Sequence, residues 1–258
     1  MSVKKVLVIR FRRIGDAVLS VVICSSIRKS FPEAEIHYVL NDHIAPLFEN
    51  HPDIDKIITF SDEENNHFFK YLRKVRQLMK TERYDVIIDT RATIKTLWFS
   101  AFSLRTKYRI GTSKFYNHFF HNYRVRNHVN DDLDEVVRNL LLLRPLERER
   151  KLIMTTDFRL YVTEQETAEF KSYMEQKGIN FSRFIVVCTP FTRVAGKAWD
   201  MAKMKEILSR IIQRYGAQLI FNYSRIEKEA ALALYEDMGK DEHIFIDIEA
   251  DSLRKLVS

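Results

Sequence analysis

The sequence contains no apolar run approaching the ~20 residues that a membrane-spanning helix needs. Its two cysteines, Cys24 and Cys188, match no metal-binding or redox spacing, so no disulfide framework is expected. That usage suits a reducing compartment. Only 6 of the 258 residues are glycine. None forms a Gly-x-Gly-x-x-Gly turn after a strand, which removes the dinucleotide fingerprint. Gly-x-Ser-x-Gly is missing as well, and with it the nucleophile turn of an α/β-hydrolase. Met1-Ser2-Val3-Lys4-Lys5 runs directly into an apolar segment and leaves no space for a signal peptide. A cytoplasmic protein is the expectation.

What is present is ordinary for a globular chain: 46% hydrophobic and 30% charged residues, with length enough for two domains. The net charge of +7 is unevenly placed. Residues 1–158 hold 27 Lys and Arg against 20 Asp and Glu, whereas residues 159–258 hold 15 of each. The first part is therefore the one expected to meet an anionic partner. Some of its charge only solvates a helix, as around Lys70, Arg73, Lys74, Arg76 and Lys80, which fall between Phe68, Leu72, Val75 and Met79. His118 and His121 have no evident carboxylate or Cys partner at ligand spacing, so they read as core or surface histidines and no metal site is expected.

Residues 6–20 carry the sharpest signal. Val6 to Ile9 is a continuous apolar run, as in a strand buried on both faces of a parallel sheet. Arg10, Arg12 and Arg13 follow, then Gly15 and Asp16, and Val18, Leu19, Val22 and Ile23 recur at helical spacing. A basic loop thus joins the first strand to the first helix at the edge where open α/β sheets bind ligands. Gly15 suits a tight turn or a close approach to a ligand. Asp16 reads two ways. As an N-cap it accepts N–H groups of the first turn; among three arginines it can orient a hydroxyl and take its proton.

Strand patterns at 4–9, 35–40, 56–60, 85–89 and 107–110 alternate with helix patterns at 16–30, 43–49, 67–82, 93–104 and 131–144. This is the order of a doubly wound parallel sheet. After a helix over 163–177 the alternation restarts: strand 183–188, helix 200–214, strand 218–222, helix 226–238, strand 243–247. Two domains follow, 1–158 and 159–258. The second carries its own strand-to-helix loop, in which Thr189, Thr192, Gly196 and Lys197 precede an Asp200-capped helix and suit phosphate oxygens. It lacks the spacing of a P-loop. Lys197 reads equally as a solvated loop lysine, Ser224 as a helix cap, and Trp199 as a packing residue.

Ile9-Arg10-Phe11-Arg12-Arg13-Ile14-Gly15-Asp16, with Thr189-Pro190 and Lys197-Ala198-Trp199 opening the second segment, resembles the lipopolysaccharide heptosyltransferases, glycosyltransferase family 9. The likeness continues through Asp134 to Leu143 and the turn from Ser224 to Glu227. It implies a GT-B-like α/β fold of two Rossmann-like domains with the active site in the cleft. It further implies an ADP-activated heptose donor held mainly by the C-terminal domain, an acceptor sugar held by the N-terminal one, and metal-independent inversion with no cofactor. Residue by residue, Asp16 matches the catalytic base and Gly15 a close-approach glycine of the donor site. Thr189, Thr192 and Lys197 match the donor-phosphate loop, and Ser224 and Glu227 the turn near the nucleoside. Arg10, Arg12 and Arg13 then face the acceptor. Arg12 and Arg13 replace small hydroxyl residues of the family, a change that suits a phosphate or sugar acid.

Family members continue past the helix expected near Asp251, so the second domain is expected to be incomplete, with an uncovered sheet edge open to a second copy. The expected partners are an ADP-sugar and an anionic glycolipid at the inner membrane surface, where the chain would sit peripherally. The competing reading is a non-catalytic module that binds an anionic glycolipid or nucleic acid. The nucleic-acid version is weakened, since no recognised motif or aromatic interleaving accompanies the basic helix.

Overall fold

The computed structural model describes residues 3–126, 133–192, 195–248, 250 and 252–258. Two compact units emerge, Met1–Val162 and Thr163–Leu256, against the division at residue 158 expected from the sequence.

The first unit is built on six parallel strands: β1 (Lys5–Ile9), β2 (Glu35–Asn41), β3 (Lys56–Phe60), β4 (Val86–Asp89), β5 (Tyr108–Thr112) and β6 (Tyr123–Val125). Their order is β3-β2-β1-β4-β5-β6. The winding reverses between β1 and β4, so the loops leaving those two strands border the crevice where such sheets bind ligands. Val6, Leu7, Val8 and Ile9 are at most 1% exposed, which explains why β1 reads as a continuous apolar run. β6 has no such run, because its residues are half-buried or exposed at the sheet edge.

Helix α1 (Ile14–Ser30) is buried along most of its length and encloses Cys24, whose thiol is pushed above its usual range by burial. Helices α2 (Asp62–Asn66) and α3 (Phe68–Glu82) follow β3. α3 packs through Tyr71, Val75 and Met79, while Phe68 stands 54% exposed. Phe11, Phe60, Tyr71 and Phe99 meet as rings, Phe11 edge-on to Phe60 at 5.4 Å, and support the loop after β1.

The helix expected at 43–49 is a 3₁₀ turn, Ala45–Phe48, with Pro46 near its start. The one expected at 93–104 contracts to α4 (Leu97–Ala101), since Thr93 and Thr96 bond each other's backbone and hydroxyl in a turn. That expected at 131–144 becomes α5 (Glu135–Leu141), capped by Asp134, whose Oδ1 accepts the Val137 N–H at 2.8 Å. Positions 131 and 132 lie outside the described residues.

The second unit holds α6 (Glu164–Gln176), β7 (Ile185–Cys188), α7 (Met201–Tyr215), β8 (Gln218–Phe221), α8 (Lys228–Asp237), β9 (Ile244–Phe245) and α9 (Leu253–Val257). Its parallel sheet runs β7-β8-β9, which repeats only one half of the winding in the first unit. Asp200 caps α7, accepting the Lys203 N–H at 3.0 Å, and Gly216 ends it in the left-handed region. Among the described residues β7 pairs only with β8, and its Val187 is 63% exposed. Asp251, where a helix was expected to start, lies outside the described residues.

Candidate active site

The loop from β1 to α1 is held by its own arginines. Arg12 and Arg13 both have positive φ, 64° and 50°, and make the turn. Left-handed geometry in two non-glycine residues stores strain of about 1 kcal/mol or more each. The Arg12 N–H donates to Asn41 Oδ1 at 2.8 Å, which ties the turn to the end of β2. Both side chains are exposed.

Arg10 is the reverse case, only 4% exposed. Its Nη2 lies 2.6 Å from Asp16 Oδ2 and 3.5 Å from Glu135 Oε1 on α5. Its Nη1 donates to Thr90 Oγ1 at 3.4 Å, across the reversal between β1 and β4. Its Nε is buried without a partner among the described residues. Asp16 sits in the first turn of α1, two residues after Ile14, where the helix N-terminus favours negative charge. One carboxylate oxygen takes Arg10, and the other accepts no hydrogen bond among the described residues. The arrangement can present a fixed, partly exposed carboxylate to a hydroxyl on a surface lined by cations.

Arg91, in the loop after β4, joins this cluster. Burial, followed by the charges of Arg10 and Arg12, lowers its pKa below the usual guanidinium range. Lys95 is already committed: it donates to Asn65 O and Oδ1 and lies over the Tyr71 ring at 4.6 Å. Sequence reading missed Glu135, Thr90 and Arg91, whose roles depend on which strands become neighbours.

In the second unit Thr189, Thr192 and Lys197 are exposed in the loop after β7, with Lys197 closing a 3₁₀ turn, Ala195–Lys197. Positions 193 and 194 of that loop lie outside the described residues. Ser224 and Glu227 form a cap: Glu227 Oε2 accepts the Ser224 N–H at 2.8 Å and its hydroxyl at 2.6 Å. A cavity of about 780 Å³ opens beside this turn, lined by Arg225 and Lys228 and by apolar Phe170, Val187, Ile220 and Leu253. None of the five sequence-predicted donor residues of this unit lines it.

One cluster has the donor set of a metal site among the described residues: Glu35, His37 and Glu82, with ligand atoms within 4.8 Å. It lies at the opposite, amino-terminal edge of the sheet and is filled by protein cations. Lys5 Nζ reaches Glu35 at 3.0 Å and Glu82 at 2.5 Å, and Lys56 Nζ reaches Glu82 at 2.6 Å. Hydrogen bonds from these lysines hold the Glu82 carboxyl down at about 2.

The profile of glycosyltransferase family 9 (heptosyltransferase) matches residues 72–240. The chain belongs to this family. It is 26% identical over 216 residues to lipopolysaccharide heptosyltransferase 3 of Escherichia coli K12, covering 80% of this chain and 59% of that relative. The chain thus spans less than two thirds of that relative's length. Among solved structures, a family 9 glycosyl transferase from Veillonella parvula superposes with a TM-score of 0.80 at 16% identity, covering 94% of this chain and 69% of the other. Escherichia coli heptosyltransferase WaaC with ADP-2-deoxy-2-fluoro heptose gives 0.68 at 15% identity, covering 98% and 78%. The GT-B-like architecture is shared with both.

Three expectations for this family 9 chain change. Gly15 is neither the turn residue nor in a left-handed conformation; it lies inside α1, and a Cβ there would meet nothing within 4 Å. The turn falls to Arg12 and Arg13 instead. Asp16 is not the N-cap, a position held by Arg13 without a side-chain bond, and the carboxylate goes to Arg10. Trp199 is 49% exposed rather than packed in the core.

Proposed function

We propose that this family 9 chain transfers a heptose or related sugar from an ADP-activated donor to an anionic lipopolysaccharide-core acceptor at the membrane surface. The observation that carries the reading is the Arg10–Asp16 pair: a carboxylate fixed at 2.6 Å through one oxygen, with the other accepting no hydrogen bond among the described residues, on the arginine-rich lip of the sheet's reversal point. WaaC, one of the fold neighbours, is a heptosyltransferase seen with an ADP-heptose analogue, which supports an ADP-linked donor.

In this reading Asp16 orients an acceptor hydroxyl and takes its proton as the oxygen attacks the anomeric carbon. The bond from that carbon to the diphosphate oxygen breaks on the opposite face, so the configuration inverts. Lys197 and the hydroxyls of Thr189 and Thr192 meet the charge gathering on the leaving diphosphate, and no metal ion is required. Ser224 and Glu227 shape the turn near the nucleoside. Arg10 orients the base, while Arg12 and Arg13 hold phosphate or carboxylate groups of the acceptor.

Asp16→Asn tests this directly with ADP-heptose and a lipopolysaccharide-core acceptor. Turnover should fall by about 10²-fold or more while the melting temperature stays close to that of the parent. Undiminished turnover would refute the assignment. A non-catalytic binding module is the second reading, favoured by one observation: Thr189, Thr192 and Lys197 stand outside the cavity of the second unit. Calorimetry with ADP separates the two, since transfer requires ADP binding that Lys197→Ala weakens.

A further inference from the structure

Beneath the arginine cluster, the last residue of β4 is a fully buried carboxylate. Asp89 is 0% exposed, and its Oδ1 accepts the N–H groups of Arg91 at 3.1 Å and Ala92 at 2.8 Å. Ala92 is held at a φ of 47°, a left-handed conformation, and its carbonyl accepts the Tyr116 hydroxyl at 3.0 Å. The turn after β4 is therefore fastened from below and from the side. Among the described residues the other oxygen, Oδ2, has no partner at ordinary hydrogen-bond length. It faces His121 Nε2 at 3.7 Å, which is also buried and has no hydrogen-bond partner among the described residues.

The surroundings of His121 settle which ring nitrogen carries its proton. Asn117 Oδ1 accepts the Lys114 N–H at 3.1 Å, so the Asn117 amide cannot be reversed without losing that bond. Its Nδ2 then donates to Thr112 O at 2.8 Å and to His121 Nδ1 at 3.1 Å. Nδ1 is thus an acceptor, and the proton of the neutral ring sits on Nε2, pointing at Asp89. Burial lowers the His121 pKa, consistent with a neutral ring. Gly111, which pairs with Asp89 in the β4–β5 register, makes room for the imidazole: a Cβ there would lie 2.4 Å from the ring.

Above this pair stands Arg91. Its side chain is half-buried and makes no ion pair or hydrogen bond among the described residues. Its neighbour Thr90 accepts the Arg10 Nη1–H at 3.4 Å, and Asp89 pairs with Ile9 in the β1–β4 register, so Arg91 leaves the sheet beside the loop that carries Arg10 and Asp16, where the charges of Arg10, Arg12 and Arg13 act on it. A half-buried guanidinium beside this arginine-rich loop, with its backbone pinned and its fork unpaired among the described residues, is arranged to receive an anion.

We propose that Asp89 and His121 form a buried positioning pair that fixes the Thr90–Ala92 turn, and thereby presents Arg91 as a further anion-binding residue beside Asp16. The ligand chemistry is a phosphate or carboxylate group. This rests on the reading of the β1–α1 loop as the acceptor side, and it adds a residue from a second strand and the device that holds it.

The test uses inorganic phosphate as the probe, followed by chemical-shift perturbation on the whole chain. Arg91→Ala should weaken phosphate binding about tenfold. Asp89→Asn sets an amide N–H against the His121 Nε2–H and should weaken binding to a similar degree. The double variant should be no weaker than Arg91→Ala alone, because Asp89 acts through Arg91. Additive losses, or unchanged binding in either single variant, would overturn the proposal. Should Asp89→Asn not fold, the ¹⁵N spectrum of histidine in the parent chain decides: a neutral His121 protonated on Nε2 at pH 7 supports the pair, and a proton on Nδ1 overturns it. Neither readout depends on turnover, so an inactive chain that passes both would count against sugar transfer and leave this inference standing.

Discussion

The Arg10 guanidinium and the Asp16 carboxylate meet at 2.6 Å, yet the cation is almost fully buried and the carboxylate side chain is 29% exposed. The pair is lopsided by design of the fold. Arg10 leaves the end of a central strand and cannot escape, whereas Asp16 stands on the first turn of α1 at the rim. The buried partner provides orientation and the exposed one provides reactivity.

The asymmetry predicts unequal mutational costs. Arg10→Met removes contacts to Asp16, Glu135 and Thr90 at once, and should lower the urea-derived unfolding free energy by about 1–3 kcal/mol. Asp16→Asn keeps an acceptor oxygen for Arg10, and Glu135 still balances the charge, so its cost should stay under about 1 kcal/mol. Equal losses would mean that the carboxylate is as structural as the guanidinium.

Strain in the loop is measurable as well. Arg12→Gly should raise stability by about 1 kcal/mol, since glycine adopts a φ of 64° without penalty. Gly15→Ala should also stabilise, by about 0.5–1 kcal/mol, because the site is helical and the added methyl meets open space. If ADP binding falls in Gly15→Ala while stability rises, the glycine serves close approach of a ligand; unchanged binding would leave it without that role.

Gly111 should behave in the opposite way. A methyl placed 2.4 Å from the His121 ring, inside a closed core, has to displace the imidazole. Gly111→Ala is expected to cost about 1–3 kcal/mol, read by denaturant midpoint. A neutral effect would show that the ring is loosely held.

Acid should weaken the first unit through its buried histidines. His37, His51 and His121 are 0%, 5% and 1% exposed, and burial is the main cause lowering the pKa of each. In the unfolded chain these rings take a proton near pH 6.5; in the folded chain they resist it to lower pH. The unfolded state therefore binds more protons below about pH 6.5, and stability falls as the pH is lowered through that window. Denaturation midpoints at pH 7 and pH 5 should show the drop, and His51→Gln should reduce it.

Amide hydrogen exchange should separate the two units. β1 is paired on both sides and its last four residues are buried, while among the described residues β7 has one neighbour and β9 only two residues. Strands β8 and β9 should exchange faster than β1 and β4 in dilute solution. Protection of β7 that rises with concentration would report pairing of its open edge with a second copy. Uniform, concentration-independent protection would contradict both expectations.

Several features were legible in the residues because local rules set them. The apolar run Val6–Ile9 had to be a central parallel strand, and Asp200 and Gly216 bracket α7 as cap and stop. Other features were not. Thr93 and Thr96 favour a side-chain-bonded turn over the helix that their flanking pattern suggests. Tyr123–Val125 forms a sixth strand only because β5 offers it an edge.

What the sequence determined by itself is the alternation of strands and helices, the restart of that alternation in a second unit, and the basic loop carrying Asp16. These follow from hydrophobic periodicity and from charges adjacent in the chain. Tertiary structure decided which charges meet. Asp89 and His121 are 32 positions apart in the numbering, and Arg10 meets Glu135 only because α5 packs on α1. It also decided that Arg12 and Arg13, not Gly15, make the turn. Strand order and helix docking bring such groups together across long separations, and no local propensity encodes a contact that exists only after the sheet has closed.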